Sequence, residues 1–358
     1  MKKLLLCVTA TGSCLTPILS HADSPWFSLK EGDGFKRFSI SAGALYVKPT
    51  GGAQPFHINT AIAEGETAKV GEVNIDTVKD SIDHSMPKSK TEDLLTFLDG
   101  LGVKKLSSDL SGTVDIYGLN SYESPGTGLK ADDLVTLGIM SNYFFTDNIS
   151  FESKAGIPPK VTIKGEGKIY APFKGISHPK FGVINLEELN LKSDILVTDL
   201  DQHSKSATAR AWTPAFEFQY HFGKTGVNKF RPYLGIGVMY AFFTQVEMDK
   251  GVKEDLVKAG HMIVNIKQGQ AGASLEGKPA GNPKVSVKAD DAFAPIVTAG
   301  FTYDINEKWF AVGSVSYASL KNDTHITVKD DQYGVLIKSK AEIEVNPMLV
   351  YAGIGFRY

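Results

Sequence analysis

The chain has 358 residues, enough for two ordinary domains on length alone, and 42% of its residues are hydrophobic. Its 38 basic and 40 acidic side chains give a net charge of −2, which predicts no basic surface for binding nucleic acid. Both cysteines, Cys7 and Cys14, lie near the amino terminus. Disulfides, cysteine-ligated metals and cysteine nucleophiles are therefore excluded from the rest of the chain.

The first 22 residues are typical of a secretory signal peptide. Lys2 and Lys3 precede an apolar stretch, and Ser20-His21-Ala22 forms a cleavage site of mostly small residues. Lipoprotein processing at Cys14 is the alternative, but residues 11–13 suit it poorly. Cleavage after Ala22 removes both lysines and leaves 36 basic against 40 acidic residues, a net charge of −4. No later apolar run reaches the length of a membrane helix, so a soluble exported β-protein is the plain alternative to a membrane protein.

The clearest strand pattern lies in residues 212–243, where two alternating stretches flank a turn at 223–229. In the first stretch, one face is aromatic and the other carries Glu217, Gln219 and His221. The second stretch places Leu234, Ile236, Val238, Tyr240 and Phe242 on one face. Successive side chains of a strand point to opposite sides of the sheet. An apolar face about ten residues long, with aromatic ends, favours a strand that crosses a membrane.

The remaining alternating stretches complete a regular series. In chain order, they begin at Phe38 and then cover about 133–145, 149–157, 297–303, 309–317 and 346–358. Tight turns at 146–148, 223–229 and 304–308 alternate with long connections at about 48–131, 158–211, 244–293 and 320–341. A soluble sandwich has no reason to segregate loop lengths in this way. The pattern predicts an all-β, eight-stranded antiparallel transmembrane barrel spanning residues 23–358, with long extracellular loops.

The long connections have some structure of their own. Residues 91–100 predict one short helix in the first loop, with Thr91 as N-cap and Gly100 as stop. Alternating apolar residues at 161–163, 262–266 and 333–337 indicate that strands continue beyond the membrane.

The chain closes on an alternating apolar stretch that ends with Ile354, Phe356 and Tyr358 on one face. This ending resembles the signal by which the barrel-assembly machinery of the outer membrane recognises its clients. Because an open sheet edge in lipid leaves unpaired backbone groups, the last strand is expected to pair with the first.

Five segments resemble the OmpW family of outer-membrane proteins. They are residues 142–148, 213–222, 231–240, 303–310 and 346–358, in that order along the chain. The resemblance implies an eight-stranded barrel in the outer membrane of a Gram-negative bacterium, in contact with lipid and lipopolysaccharide. It also implies passage of small hydrophobic molecules through an apolar pocket. The long loops depart from the family, whose members are usually shorter.

Two groups of residues are expected to line the lumen. An eight-stranded barrel has room only for side chains or one small ligand. Near the short turns, a charge-paired polar plug is predicted from Glu152, Lys154, Glu217, Gln219, His221 and Arg357, with pure lumen filling as its simplest role. Near the loops, an apolar pocket is predicted from Leu45, Val47, Leu134, Met239, Phe243, Ile296 and Leu349, although these residues could merely pack against the loops.

Catalysis is not expected, and no cofactor or metal is predicted. The eight histidines are scattered without metal-ligand spacing, and neither a Gly-x-Ser-x-Gly elbow nor a phosphate loop is present. The competing interpretation is a surface interaction protein that uses its expanded loops for adhesion or for contact with a host, a phage or a bacteriocin.

Overall fold

The computed structural model describes residues 36–358, so the predicted signal peptide and both cysteines lie outside the described range. Within that range, none of the helices combines the length and apolarity needed to cross a membrane. Twenty-four strands, β1–β24, and five α-helices, α1–α5, are numbered along this part of the chain.

Eight of these strands close into an antiparallel barrel, which confirms the predicted fold. The order around the barrel is β1, β9, β10, β17, β18, β20, β21 and β24, and β24 pairs back to β1. The strands are β1 (Phe38–Pro49), β9 (Leu134–Phe144), β10 (Ile149–Gly156), β17 (Ala215–His221), β18 (Phe230–Met248), β20 (Ala292–Asp304), β21 (Trp309–Ala318) and β24 (Pro347–Arg357).

The outer wall of the barrel is apolar, as the alternation predicts. Lipid-side residues such as Leu137, Phe218 and Ile236 are exposed, whereas their neighbours along each strand are buried or half-buried. Aromatic residues gather at both ends of the wall. Trp212, Tyr240, Phe242 and Phe293 contact one another at the loop end, and Phe38, Tyr143, Phe145 and Tyr358 do so at the turn end. Two such girdles around an apolar band are typical of barrels in the outer membrane.

The long connections are folded rather than irregular, and together they build a cap above the barrel. The upper half of β18 rises past the rim and pairs with β16 (Ala207–Trp212). That sheet continues through β11 (Lys160–Glu166) to β8 (Gly128–Ala131). The wall of the barrel is thereby extended on one side into the cap.

Two further sheets complete the cap. A five-stranded sheet has the order β19 (Lys284–Ala289), β22 (Lys321–Asp330), β23 (Gly334–Glu344), β2 (Phe56–Thr60) and β7 (Ser121–Ser124). A four-stranded sheet has the order β15 (Leu189–Asp199), β12 (Lys168–His178), β6 (Thr113–Tyr117) and β3 (Glu66–Lys69). Two short ribbons pair β4 (Val73–Asn74) with β5 (Lys105–Leu106), and β13 (Lys180–Phe181) with β14 (Ile184–Asn185).

The helices of the cap correct the prediction of a single short helix. They are α1 (Ile75–Asp80), α2 (Lys90–Gly100), α3 (Ser108–Ser111), α4 (Lys250–Lys267) and α5 (Ala271–Leu275), with a 3-10 turn at Leu200–Gln202. Residues 262–266, which alternation assigned to a strand, lie inside α4. The buried residues of α4 recur at helical spacing from Val252 through Leu256 and Ala259 to Ile263, and this longer period decides the local structure.

The helix predicted at 91–100 is present, but the predicted N-cap residue, Thr91, lies two positions after the observed one. Ser89 is the N-cap of α2, and its side chain accepts a hydrogen bond from the backbone N–H of Thr91. The side chain of Glu92 in turn accepts a hydrogen bond from the backbone N–H of Ser89, which completes a capping box. The hydroxyl of Thr91 instead donates to the carbonyl of Glu187 at 2.6 Å and so ties the helix to the loop before β15.

The cap has a hydrophobic core of its own, built from all three cap sheets and α4. Its fully buried members include Val73, Ile116, Val264, Val328 and Leu336. Helix α4 contacts strands of both the four-stranded and the five-stranded sheet and joins them. A buried apolar core of this kind holds a domain together, so the long connections form a folded body above the barrel.

Candidate functional site

The lumen of the barrel is divided into a polar half and an apolar half. At their boundary lies Lys154, whose ammonium is 2.7 Å from Oε1 of Glu217 and 3.2 Å from Oε1 of Glu152. The same ammonium donates to the hydroxyls of Thr298 at 2.9 Å and Ser316 at 3.2 Å. Buried charges are tolerated only when they are paired and hydrogen-bonded. The partners of the Lys154 ammonium lie on β10, β17, β20 and β21, so its contacts join these four strands across the lumen.

Below Lys154, toward the short turns, a hydrogen-bonded layer fills the barrel. Nε2 of His221 lies 3.0 Å from the hydroxyl of Ser150 and 3.2 Å from Oε1 of Gln219. The amide of Asn142 donates to the same Gln219 oxygen at 2.9 Å. All six residues of the predicted plug are buried in the lumen, with Glu217 at 0% exposure.

Two arginines close the turn end. The guanidinium of Arg357 donates to Asp304 at 2.7 Å and stacks over the ring of Phe310 at 4.4 Å. Arg231, which the predicted plug omits, is only 1% exposed and donates to the backbone carbonyl of Asp147 at 2.6 Å. Arg231 lies on the face of β18 opposite Leu234 and Ile236, so alternation alone could have included it among the inward residues.

The plug leaves almost no free space. A Cβ atom on Gly235 would lie 2.6 Å from Oε2 of Glu217, so any larger residue there would have to displace that carboxylate. The void that remains among Ser39, Glu152, His221, Tyr233 and Arg357 measures about 10 Å³, which is room for about one water molecule. Straight passage of a solute through this half of the barrel is therefore blocked.

Above Lys154 the lumen opens into an apolar cavity of about 150 Å³. Its wall contains six of the seven residues predicted for the pocket: Leu45, Val47, Leu134, Met239, Phe243 and Leu349. Ile296 is the exception, because it is fully buried and packs in a cluster with Met239, Ala294 and Ala318 without reaching the cavity surface. The prediction missed Ala211, Ala215 and Tyr351, although the last two lie on inward positions of the sequence pattern.

The wall of this cavity is interrupted between β10 and β17. Their ladder ends at Lys154 paired with Ala215, and the ladder of β11 with β16 starts at Lys160 paired with Arg210. Residues 155–158 and 212–214 therefore face each other without cross-strand pairs. Pro158 and Pro214 lie in these segments and have no N–H to donate. Ala155, Ile157 and Thr213 from these segments line the cavity, and we call the interruption the side window.

Among residues 36–358, no group of three or more His, Cys, Asp or Glu side chains is placed to hold a metal ion.

The barrel has eight strands and is closed, with an apolar belt, two aromatic girdles and a charge-paired plug. These features define an integral protein of the bacterial outer membrane. The model of the OmpW family matches residues 107–277. Outer membrane protein W of Vibrio cholerae serotype O1 is 27% identical over 230 residues, which cover 64% of this chain and 76% of that protein. Over this segment the chain is similar to the OmpW family of outer-membrane proteins.

Two solved structures are similar to the chain over most of its length. OprG from Pseudomonas aeruginosa has 17% sequence identity and a TM-score of 0.45, over 91% of this chain and 98% of OprG. AlkL, determined in lipid bilayers, has 13% identity and a TM-score of 0.33, over 93% of this chain and 95% of AlkL.

Proposed function

We propose that this protein is a passive, non-catalytic channel for small hydrophobic molecules, which enter the apolar half of the lumen and leave sideways into the outer membrane. The observation that carries the proposal is the abrupt change of lining at Lys154. Above this residue the cavity wall is mostly apolar, and below it the lumen is filled by ion pairs and hydrogen bonds.

An apolar lumen lowers the cost of leaving water for a hydrophobic solute. The solute cannot continue through the plug, because that path would require breaking buried ion pairs. The side window offers the alternative, since no ladder joins its two segments and the outer surface beside it is apolar. Ile157 and Trp212 lie in the two segments of the window and are both exposed on the outside of the barrel.

Permeation into liposomes that carry the refolded barrel tests the proposal. We expect a small apolar solute to pass faster than a polar solute of equal size. Met239→Asp and Leu45→Asp should abolish the difference because each places a carboxylate in the cavity. Met239→Leu is the matched control and should retain passage. Equal passage of both solutes, or unchanged apolar passage in the two Asp variants, would contradict the proposal.

The side window is tested with a bulky residue at its edge. Ala155→Trp should slow apolar passage while leaving the cavity able to bind solute, because Ala155 is exposed yet borders the cavity. Ala311→Trp places the same side chain on the lipid-facing side of β21, away from the window, and should have no effect. Equal rates for the two variants would argue against sideways release.

A role in surface interaction is the second candidate, and one hairpin of the cap favours it. Phe181, Val183 and Ile184 are exposed around β13 and β14, with Val183 at 100%. Exposed apolar side chains in a group often mark contact sites. Val183→Asp should then reduce attachment to a host cell, phage or bacteriocin without changing permeation; unchanged attachment of all three would speak against this role.

A further inference from the structure

The cap encloses a second apolar cavity, separate from the one in the lumen. It measures about 210 Å³ and lies in the core between α2, α4, the four-stranded sheet and the five-stranded sheet. Helix α4 contributes Val252, Leu256, Ala259 and Ile263 to its wall. The only charged residue of the wall in the described chain is Lys180, which is exposed at the cavity edge.

The size and lining of the cap cavity define the kind of ligand it suits. An apolar cavity of about 150 Å³ stays dry and binds benzene in a well-studied lysozyme variant. The cap cavity is larger than that reference and contains no charge in its interior. A neutral, apolar molecule of about one or two rings, or a short alkyl chain, fits these properties.

The cap cavity has an opening to the outside on one side and shares wall residues with the lumen cavity on the other. Phe181 lines the cavity and is 62% exposed, so the hairpin of β13 and β14 forms one side of a mouth. Leu94 and Leu98 of α2 are partly exposed and line the same cavity. At the opposite limit, four residues line both this cavity and the lumen cavity: Leu129, Ala207, Val287 and Thr324.

We infer that the cap cavity is a binding site for small neutral apolar molecules and delivers them to the lumen cavity through the partition formed by these four residues. The inference rests on the proposed function for the delivery step, whereas binding in the cap stands independently of it. The two cavities share wall residues, so a solute has to cross only about one layer of side chains. Rotamer changes of exposed or partly exposed side chains take picoseconds to nanoseconds and can open such a layer. Val287 is partly exposed and can change rotamer, and Ala207, also partly exposed, contributes only a methyl group to the layer.

Diffraction from crystals of the full chain soaked with iodobenzene locates the site, because the iodine atom gives an anomalous signal. We expect iodine in both cavities of the unmodified protein. Ala259→Phe should remove iodine from the cap and leave it in the lumen, and Ala215→Phe should do the reverse. Because Ala259→Phe risks overfilling the cap, Ile263→Ala provides the opposite change and should admit the larger 1-iodonaphthalene.

Iodine in the lumen alone, in the unmodified protein and in Ile263→Ala, would overturn the inference while leaving the proposed channel intact. Iodine in the cap of a protein that passes no apolar solute would support the cap site and refute the channel. Delivery is tested by permeation at low solute concentration, where Ala259→Phe should reduce the rate several-fold. An unchanged rate together with loss of cap iodine would refute delivery.

Discussion

Lys154 is the residue on which the polar half of the lumen depends. It is the partner of two buried carboxylates, Glu152 and Glu217, on neighbouring strands. Removing one member of a buried ion pair leaves an uncompensated charge, whereas removing all members together is often tolerated. The sequence pattern placed these three residues in the lumen, but only the folded barrel shows that one lysine serves both acids.

Lys154→Met should therefore lower the free energy of unfolding by about 3–5 kcal/mol. Urea-induced unfolding of the refolded barrel in lipid vesicles provides the measurement. Lys164→Met is the matched control, since Lys164 forms an exposed pair with Asp132 and should change stability by about 1 kcal/mol or less. The triple variant with Glu152→Gln and Glu217→Gln should recover most of the loss. A triple variant as unstable as Lys154→Met would contradict the account.

The elements of the cap are joined by specific polar contacts, of which the end of β22 is the clearest. The carboxylate of Asp330 accepts backbone N–H bonds from Asn282 at 2.7 Å, Gln332 at 2.8 Å and Tyr333 at 3.1 Å. It thereby fixes the turn into β23 and ties the segment before β19 to that turn. These bonds to the ionised form hold the pKa of Asp330 below its ordinary value.

A carboxyl group with a lowered pKa in the folded state stabilises that state at neutral pH. The contribution is complete above the pKa of the unfolded chain, about 4, and is lost as the pH falls through the folded value. We expect amide hydrogen exchange in the segment 282–289 to accelerate below about pH 4 relative to the barrel strands. Asp330→Asn should show fast exchange already at neutral pH, whereas Asp194→Asn, which removes an exposed carboxylate on β15, should behave like the unmodified protein. Equal exchange in both variants would refute this role.

At the scale of the whole molecule, the terminal strand closes the barrel. β24 pairs with both β1 and β21, and its lipid-facing rings contact their neighbours. Phe356 lies 5.1 Å from Trp309, and Tyr358 stacks on Phe38 at 5.9 Å. Ile354, the third residue of the predicted assembly signal, is exposed on the same side.

If the barrel-assembly machinery recognises these residues, Phe356→Ala should strongly reduce the amount of folded protein in the outer membrane of cells. The same variant should refold into vesicles almost normally, because losing one aromatic contact costs about 0.5–1.5 kcal/mol. Phe301→Ala removes a comparable lipid-facing ring, which lies 5.3 Å from Phe230, and should leave cellular levels unchanged. Equal cellular losses in the two variants would show that general stability, rather than recognition of the terminus, sets the level.

The sequence by itself determined the barrel. Alternation with a period of two is a local property, so the strand positions, the lipid-facing residues and the inward polar set could be deduced without a structure. The six plug residues and six of the seven pocket residues lie where that period places them. Ile296 shows the limit of this reasoning, because alternation reports the side of a wall but not whether a neighbour covers the side chain.

The tertiary structure decided everything that depends on contacts between distant segments. The cap draws its core from all four long connections, so no single stretch reveals its fold. Short strands such as β2 and β3 contain too few residues to show a period. Residues 262–266 of α4 resembled a strand because five residues contain little more than one helical turn. The side window arises from where two ladders stop, and the cap cavity arises from side chains that fail to meet. Both features depend on how distant segments pack against each other, so they can be recognised only in the folded structure.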